Sequence, residues 1–382
     1  MRTFTFKGLF LTAVFMLLGC LSIQAADDDL ITRQITIKLD KAGTLPDKIG
    51  SSKKNLITKL KIVGEVNGTD WCFIREMAGS GYDGKSTEGK LSVLDLSEAK
   101  IVEGGYYYNK YYYYENDVYY YKNCYTSNDV IGKCAFKGCS GLTSLTLPAG
   151  ITSIGDDAFY GCSGLTSITI PNGVTQIDKN AFRDCTGLTS LTLPANIKRI
   201  GESAFKNCSG LTSLNLPAGI TTIGSSAFYG CSGLTSLTIP DGVTKIGKYA
   251  FSNCSYLTSL TIPSSVNSLG DYAFKNCSSL QSVHVSWSTP ISAGKAFNKA
   301  DVSKCTLYVP QGTEQDYFLA DVWGDFGNIV EYDPTGIDKV TTSTDAKELS
   351  RYSVNGQRLA TPTKGLNIVK YSDGSVKKVV VQ

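Results

Sequence analysis

Hydrophobic residues recur along the chain with a period of 23 residues. One unit, residues 234–256, reads LTSLTIPDGVTKIGKYAFSNCSY, and the others share its form L-x-x-L-x-L/I-P-x-x-V/I-x-x-I-x-x-x-A-F-x-x-C-x-x. The alternating residues 237–239 predict a short strand, which Pro240 ends because proline has no N–H to donate to a β-ladder. Residues 243–246 favour a second short strand, and the following Ala-Phe pair predicts a tight helical or 3₁₀ turn.

A column of phenylalanines marks the register of this repeat. It advances in unbroken steps of 23 residues and comprises Phe136, Phe159, Phe182, Phe205, Phe228, Phe251, Phe274 and Phe297. No unit this short can bury its own Leu, Ile, Ala and Phe side chains, so the units must stack and bury them against each other. The sequence therefore predicts a leucine-rich repeat solenoid of 23-residue repeats, mainly β with short helical or 3₁₀ turns.

Each unit also carries one cysteine. The column comprises Cys139, Cys162, Cys185, Cys208, Cys231, Cys254 and Cys277. A metal array would need cysteine pairs two to four residues apart or added histidines, and His284 is the only histidine. Disulfides between neighbouring coils are the other alternative, but stacked equivalents point the same way and their number is odd. We therefore predict buried free thiols, and we expect no metal site and no cofactor.

One unit near the N-terminus carries an insertion of about 28 residues between Ile101 and Ile131. Residues 104–128 of it, GGYYYNKYYYYENDVYYYKNCYTSN, hold 11 of the chain's 22 tyrosines. Insertions in solenoids form loops on one side, often the binding side, and exposed tyrosine offers a large, stiff contact area with a hydrogen-bonding tip. The predicted binding residues are Tyr106, Tyr107, Tyr108, Tyr111, Tyr112, Tyr113, Tyr114, Tyr119, Tyr120 and Tyr121. The alternative, which is compatible with binding, is a flap whose rings pack on the first coils.

Two further cysteines flank the end of this insertion. Cys124 lies within it, and Cys134 occupies a column otherwise held by Asp157, Asn180, Ser203, Ser226, Tyr249 and Tyr272. That column predicts an exposed Cys134. We predict that Cys124 and Cys134 can form a disulfide that ties the insertion to the first full coil.

The residues outside the core offer little to catalysis. The outward strand positions are nearly uniform columns of threonine and serine, whereas an enzyme site needs dissimilar groups brought together. Residues 79–86, GSGYDGKS, match a phosphate-binding loop, but a helix-like segment precedes them and a strand follows, which reverses the required order. The net charge of +3 and the scattered Lys and Arg give no reason to expect a nucleic-acid partner. We predict that the chain is not an enzyme.

Sequence variation within the repeats concentrates in the turns, at the two residues after each Ile-Gly and at the residue after each Phe. These positions hold charged residues and tyrosines. We interpret them as an ordinary solvated surface, and the alternative is a mixed charged and aromatic strip that contributes to binding.

The ends of the chain differ from the repeats. Residues 1–25 read as an export signal, with ordinary cleavage after Ala25 or lipidation at Cys20 within the lipobox-like Leu-Leu-Gly-Cys as alternatives. Residues 26–130 form an N-terminal cap with degenerate repeats and the insertion, and residues 131–310 form the array. A cap follows at 311–336, with a helix from Thr313 and with Trp323 and Phe326 over the last coil. Residues 337–382 are predicted to be a linker and a small β module, whose hairpin turns are Asn-Gly at 355–356 and Asp-Gly at 373–374.

The repeat unit resembles the BspA-like leucine-rich repeats (LRR_5 type) of secreted and surface proteins of Gram-negative anaerobes. The N-terminal ITKLKIVGEVNGTDWCFIREMAG and the exit segment CTLYVPQGTEQDY are similar to that family's ends, so the likeness covers about residues 40–332. The tail, YSVNGQRL through KKVVV, resembles the C-terminal sorting modules of type IX secretion cargo. No residue-level binding site carries over from the family.

The resemblance implies adhesion, because the family's surface members are implicated in binding host matrix proteins and other bacteria. We therefore expect an exported protein that mediates protein–protein interaction with host matrix proteins or other cells. We expect it either at the cell surface, on the outer membrane, or in the extracellular medium. The alternative is a glycan-binding accessory protein of the cell surface, in which the tyrosines stack on sugars. Contact with a membrane is expected only through a lipid on Cys20.

Overall fold

The computed structural model describes residues 29–115, 118–333, 348–353, 358–359, 361–371 and 376–381. The predicted signal segment with Cys20 and both predicted hairpin turns of the tail lie outside the described residues. For the two tail turns, only the pairing of the flanking strands can be compared with the prediction.

The N-terminal region consists of three parallel strands, two helices and a hairpin. These are β1 (Ile35–Leu39), α1 (Leu45–Ile49), β2 (Lys59–Val66), α2 (Gly68–Met77), β3 (Val93–Ile101), β4 (Gly104–Glu115) and β5 (Val118–Thr126). Helix α2 begins with a capping box, in which the Asn67 side chain accepts from Thr69 N–H and Asp70 accepts from Asn67 N–H. The buried Asp70 carboxylate also accepts from the backbone of Gly43 and Leu45, which ties α1 to α2.

The repeat array then adds two short strands per coil, except in the coil at 211–233, where residues 211–217 form no strand. In chain order they are β6 (Val130–Ile131), β7 (Ser144–Thr146), β8 (Ser153–Ile154), β9 (Ser167–Thr169), β10 (Gln176–Ile177), β11 (Ser190–Thr192), β12 (Arg199–Ile200), β13 (Thr222–Ile223), β14 (Ser236–Thr238), β15 (Lys245–Ile246), β16 (Ser259–Ile262), β17 (Ser268–Leu269) and β18 (Ser282–Val285). All pair in parallel and one coil apart, as Ser190 with Ser167 and Ile200 with Ile223 show. The predicted solenoid and both predicted strands of the unit are confirmed.

The phenylalanine column forms a continuous stack through the core. Successive rings from Phe136 to Phe297 lie 4.7 to 5.7 Å apart between centroids and are tilted by at most 18°. Most of the rings are fully buried. Each ring therefore has its two neighbours as packing partners, and no single coil could provide that environment.

The Ala-Phe segment of each coil forms a chain of tight turns and no helix. Its N–H groups alternate between a carbonyl three residues back, as Tyr160 to Asp157 (3.1 Å), and a carbonyl of the next coil, as Phe159 to Ala181 (2.7 Å). The position two residues after each Ile-Gly is left-handed, with φ between 53° and 63° from Cys134 to Tyr272. A left-handed residue in every turn interrupts helical geometry, so only the short-turn part of the prediction holds.

The cysteine column is buried, as predicted. Each thiol from Cys162 to Cys277 donates to the backbone carbonyl of the phenylalanine in the preceding coil, at 3.1 to 3.5 Å. Burial raises the pKa of every one of these thiols, and it raises that of Cys139 to about 11 and that of Cys277 to about 12. The column thus adds a bond between coils at each step.

The N-terminal cap supplies donors that the first coil lacks. Within the array, three N–H groups in the turn of one coil donate to three carbonyls of the next coil. The carbonyls of Lys179, Ala181 and Arg183, for example, accept from the coil before them. The equivalent carbonyls of the first coil, Lys133, Ala135 and Lys137, have no preceding turn segment. The cap donors are Tyr108 OH to Lys133 O (2.8 Å), Trp71 Nε1 and Arg75 Nη1 to Ala135 O (3.0 Å each), and Arg75 Nη2 and Ser80 Oγ to Lys137 O (3.0 Å each).

The C-terminal end of the array is closed by aromatic side chains. The elements there are a 3₁₀ turn (Val302–Lys304), β19 (Thr306–Pro310), α3 (Glu314–Leu319), a second 3₁₀ turn (Trp323–Asp325) and β20 (Asn328–Tyr332). Trp323 and Phe326 are buried, and their rings lie 5.7 and 5.6 Å from that of Phe297. Both residues cover the last coil as predicted, and a helix follows Thr313 as predicted.

The tail forms a small antiparallel sheet, in agreement with the predicted β module. Its strands, in the spatial order β22, β21, β23, β24, are β21 (Glu348–Ser353), β22 (Arg358–Leu359), β23 (Gly365–Tyr371) and β24 (Val376–Val381). β21 pairs with β22, and β23 pairs with β24, as expected for strands that flank short turns.

Arg75 should contribute strongly to stability, because it is fully buried and donates to the carbonyls of Cys134, Ala135 and Lys137. Replacing it by methionine keeps most of the volume but leaves buried carbonyls with fewer donors, which should lower the free energy of unfolding by about 3 kcal/mol. Urea denaturation measures the change. Arg199→Met, at an exposed position of β12, is the matched control and should leave the midpoint nearly unchanged; equal midpoints for the two variants would contradict the capping role.

The seven repeat thiols should resist modification in the folded protein. They are buried and their pKa values are raised, so little thiolate is accessible at pH 8. Titration with a chromogenic disulfide reagent should modify the half-buried Cys72 first and the seven repeat cysteines only after denaturant is added. Rapid labelling of several repeat cysteines in native protein, located by peptide mapping, would show that the column is open.

Candidate binding site at the tyrosine hairpin

The tyrosine-rich insertion is a β-hairpin and not an irregular loop. β4 and β5 pair antiparallel with Asn109 opposite Cys124, Tyr112 opposite Tyr121 and Tyr114 opposite Tyr119. From Asn109 onward, alternation along β4 divides its side chains between two faces, whereas between Gly104 and Asn109 the register shifts and the adjacent Tyr108 and Asn109 are both buried. The hairpin therefore has a face directed to the first coils and a face directed to solvent.

The inward face holds the hairpin on the solenoid. Asn109, Cys124 and Thr126 are buried, and Asn109 Nδ2 donates to Cys134 O at 3.2 Å. Tyr108 is only 1% exposed and packs 6.4 Å from Trp71. Tyr108 is therefore not exposed for binding, as the prediction required. Its ring packs within the N-terminal cap, and its hydroxyl donates to Lys133 O, a carbonyl of the first coil that no preceding coil can pair.

Tyr111 also belongs to this inward side. It is half-buried against the core, and Lys133 Nζ lies 3.7 Å above its ring centroid. A cation this close to a ring contributes about 1 kcal/mol at a partly exposed site. Tyr111 thus anchors the hairpin more than it offers a contact surface.

The outward face forms an aromatic platform around Lys110. We define the tyrosine platform as the outward-facing residues Tyr82, Tyr106, Tyr107, Lys110, Tyr112, Tyr121 and Tyr125. Lys110 Nζ lies 5.6, 5.3 and 5.2 Å from the ring centroids of Tyr82, Tyr107 and Tyr121. Edge-on contacts join Tyr107 to Tyr82 (5.8 Å) and to Tyr125 (6.3 Å), so the rings are held in place by each other.

The platform is exposed to a degree that is unusual for large aromatic residues. The exposed fractions are 73% for Tyr106, 65% for Tyr112 and 61% for Tyr121, and Tyr120 is also exposed near the tip. The side chains of Tyr113, Tyr114 and Tyr119 lie outside the described part of the structure. Of the predicted tyrosines, Tyr106, Tyr107, Tyr112, Tyr120 and Tyr121 thus have the surface access that binding requires.

A cleft of about 280 Å³ opens where the hairpin meets α2. Its lining residues are Pro46, Thr69, Cys72, Phe73, Glu76, Tyr82, Tyr106 and Tyr107. Glu76 is the acidic group of the lining and forms an ion pair with Lys54 at 2.6 Å. The cleft has an aromatic wall and one polar edge, which suits an apolar or aromatic side chain of a protein ligand.

Sequence reasoning missed the residues that α2 and the 79–86 segment bring to the cleft. Phe73 and Glu76 lie on α2, and Tyr82 lies in the segment considered above only as a phosphate-binding loop. That segment follows helix α2 and precedes β3, and an isolated bridge pairs Ser80 with Ser86. The order predicted from the sequence, a helix before this segment and a strand after it, is confirmed. Repeat periodicity gave no signal for these residues, because they lie outside the regular units.

Cys124 and Cys134 are brought together by the root of the hairpin. Both are buried, so the predicted exposure of Cys134 is wrong. The reason is that the turn itself half-buries this column, as at Asp157 and Asn180, and buries it at Ser203, and the hairpin completes the burial of Cys134. The two thiols are in hydrogen-bonding contact, which raises the pKa of Cys134 and lowers that of Cys124.

Other chemistry is sparse across the described residues. No group of three or more His, Cys, Asp and Glu side chains is placed to hold a metal ion in that part of the chain. His284 stacks on Tyr308 at 4.2 Å, and burial lowers its pKa. Within the described ranges, no helix has the length and hydrophobicity needed to cross a membrane.

Comparison with known families agrees with the repeat geometry. The profile described as "BspA type Leucine rich repeat region" matches residues 109–234 and 198–314, together more than half of the chain. The chain belongs to this leucine-rich repeat family. No curated protein matches the chain.

Several solved structures are similar to parts of the chain. A leucine-rich repeat protein of T. pallidum is 33% identical, with a TM-score of 0.37, and the match covers 39% of this chain and 69% of that one. A leucine-rich repeat protein of Bacteroides ovatus is 21% identical, with a TM-score of 0.35 and coverages of 58% and 75%. A leucine rich cell surface protein of Faecalibacterium prausnitzii is 25% identical, with a TM-score of 0.29 and coverages of 53% and 76%.

Cys124 and Cys134 should form a disulfide under oxidising conditions. Each thiol loses its proton and two electrons pass to the oxidant, for example oxidised glutathione, as one S–S bond forms. The bond closes a loop across ten residues and should raise the free energy of unfolding by about 2–3 kcal/mol in the chain-entropy model. Peptide mapping without reductant measures the pairing, and Cys124→Ser is the control that should make stability independent of reductant. Recovery of Cys124 as an alkylated free thiol from exported material would refute the pairing.

Proposed function

We propose that the chain is an exported ligand-binding protein, at the cell surface or secreted, that binds host matrix proteins or other cells through the tyrosine platform. The observation that carries this proposal is the exposure of Tyr106, Tyr112 and Tyr121 on a hairpin whose inward face is anchored to the first coil. Tyrosine is enriched in binding hot spots because one ring supplies both buried area and a hydrogen bond. A rigid base with exposed rings also loses little conformational entropy on binding.

The regular strand face is a weaker candidate for partner selection. One column of its threonine hydroxyls is already used, since Thr143, Thr166 and Thr189 each donate to a backbone carbonyl of the preceding coil at 3.1 Å. Specific binding depends on contacts that differ from those offered to competitors. A face that repeats one hydrogen-bonded residue offers few such differences.

The proposal includes export and assigns no catalytic activity. Residues 1–25 have the pattern of a signal segment, and lipidation at Cys20 would add a membrane anchor. A sorting module in the tail would be unusual together with that lipid anchor, so the two are alternatives. A glycan ligand for the platform is the alternative, because exposed rings also stack on sugars. Neutral polysaccharides therefore belong in the same binding screen.

Shortening the hairpin should weaken protein binding without unfolding the cap. Replacing residues 112–121 by Asn-Gly joins Tyr111 to its cross-strand partner Lys122 through a two-residue turn. The buried root, with Tyr108, Asn109 and Cys124, is kept. Binding of the mature protein to a panel of matrix proteins, such as collagen, laminin and fibronectin, should weaken at least about tenfold, since several hot-spot residues are removed.

Two variants distinguish binding by the platform rings from nonspecific binding by any exposed tyrosine. Tyr112→Ser with Tyr121→Ser removes two platform rings, and Tyr256→Ser removes a ring that is 65% exposed on the array. Serine already occupies the equivalent of Tyr256 at Ser279, so this control should fold normally. Only the platform variant should lose affinity. A protein ligand that binds the shortened hairpin as tightly as the parent would move the recognition surface to the coils.

A further inference from the structure

The turns of the last coils carry a second aromatic surface that is basic. We define the basic ridge as Lys206, Tyr229, Lys248, Tyr249, Tyr272 and Lys275. These residues lie in successive Ala-Phe turn segments, which are joined by backbone bonds such as Ser226 N–H to Lys248 O (2.8 Å) and Tyr249 N–H to Asp271 O (3.0 Å). Their side chains therefore follow each other along the solenoid axis.

The rings and ammonium groups of the basic ridge make two sets of contacts, one between Lys206 and Tyr229 and one among the other four residues. Lys206 Nζ lies 4.7 Å from the Tyr229 centroid, Lys248 Nζ lies 5.4 and 5.9 Å from those of Tyr249 and Tyr272, and Lys275 Nζ lies 5.2 Å from that of Tyr272. The Tyr249 and Tyr272 rings are stacked at 4.9 Å with a tilt of 15°. All but Lys248 are half-buried, and Lys248 is exposed. The side chains are thus positioned before any ligand arrives.

Charge distinguishes this ridge from the equivalent turns of the first coils. There, the cations are compensated by carboxylates: Lys133 with Asp156 (3.8 Å), Lys137 with Asp157 (3.5 Å), Lys179 with Glu202 (2.9 Å) and Arg183 with Asp184 (3.5 Å). No described carboxylate lies within ion-pairing distance of Lys206, Lys248 or Lys275. The acidic residues of these ridge turns are Glu202, which pairs with Lys179 of the preceding coil, and Asp271; both are exposed. The ridge therefore keeps three cations available for an external anion.

We propose that the basic ridge binds a linear anionic polysaccharide laid along the solenoid axis. Sulfate or carboxylate groups pair with the lysines, and sugar faces pack on the tyrosine rings. The coils advance by about 5 Å, as the ring spacings of the phenylalanine stack show, and a pyranose residue advances an extended glycan by a similar distance. A polymer in this register contacts successive coils at once, so weak single contacts add up.

The chemistry of the ridge favours a glycan over other polyanions. The lysines and rings occupy three neighbouring positions of the turn on successive coils, so they repeat along the axis as the charges of a stiff chain do. Acidic polypeptide would offer carboxylates without apolar sugar faces for the rings. The inference is independent of the tyrosine platform, because the ridge lies on other coils and uses other residues.

The test compares two triple variants with the same charge change. Lys206→Gln, Lys248→Gln and Lys275→Gln together remove the ridge cations, and Lys137→Gln, Lys179→Gln and Arg183→Gln together remove three compensated ones. Binding of the mature protein to immobilised heparin is measured between low and physiological salt. The ridge variant should bind at least about tenfold more weakly and with a shallower salt dependence, since fewer counterions are released. The matched variant should change by less than about twofold.

A second variant tests the rings without changing charge. Tyr249→Asn with Tyr272→Asn introduces a residue that the same left-handed column already carries at Asn180. Heparin affinity should fall severalfold while its salt dependence stays that of the parent. Circular dichroism and urea denaturation of all variants check that each is folded.

Three outcomes would overturn the proposal. Equal losses for the two triple variants would mean that heparin responds to net charge alone. Competition by polyglutamate as effective as that by heparin would assign the ridge to acidic polypeptides. Unchanged affinity of the tyrosine variant would remove the sugar-stacking role. The protein with the shortened hairpin should bind heparin like the parent, so failure of the ridge and failure of the platform give different results.

Discussion

The direction of the backbone hydrogen bonds between coils is the constraint on which the structure depends. In the turn segments, each coil donates its N–H groups to carbonyls of the next, as Phe159 does to Ala181. A parallel stack of this kind has two different ends, and its first coil has carbonyls without donors. Buried carbonyls must be paired, so the N-terminal cap must present donors at the spacing of the turn. Trp71, Arg75 and Tyr108 do so, from a helix and from the hairpin.

The same constraint determines where the tyrosine hairpin is rooted. Because Tyr108 completes the cap, the strand that carries it cannot detach from the first coil without losing a buried hydrogen bond. Alternation beyond Asn109 then places Tyr112 on the opposite face, and Tyr106, before the register shift, is exposed as well. The two interpretations of the insertion, a packed flap and a binding surface, are thus the two faces of one hairpin. The capping face holds the exposed rings in a fixed position.

Features that recur in every repeat are predictable from the sequence, whereas features that depend on one contact outside the repeats are not. The 23-residue period and the residue type shared at each repeat position predict the strands, the phenylalanine stack and the buried thiols, because the same residue type recurs at these positions in successive coils. Cys134 was misassigned because the polar residues of its column suggest exposure, whereas that position is half-buried or buried in every coil and the hairpin covers it in the first. Tyr108 looks like its neighbours in the sequence, and its burial depends on Trp71 and on one carbonyl of Lys133. The cleft residues Phe73 and Tyr82 come from separate elements, so no spacing could have joined them.

A solenoid can keep its interior fixed while its turns vary, because the side chains after each phenylalanine contribute nothing to the phenylalanine stack. Lys137, Tyr160, Arg183 and Lys206 follow the same buried ring in successive coils, and the backbone bonds beneath them are alike. The left-handed position beside them accepts Asp, Asn, Ser or Tyr at similar φ. Surface chemistry is therefore set coil by coil at little cost to the fold. The first coils carry lysines and arginine paired with carboxylates, and the later coils carry unpaired lysines on the same backbone conformation. A uniform array can therefore present a surface whose charge differs along its length.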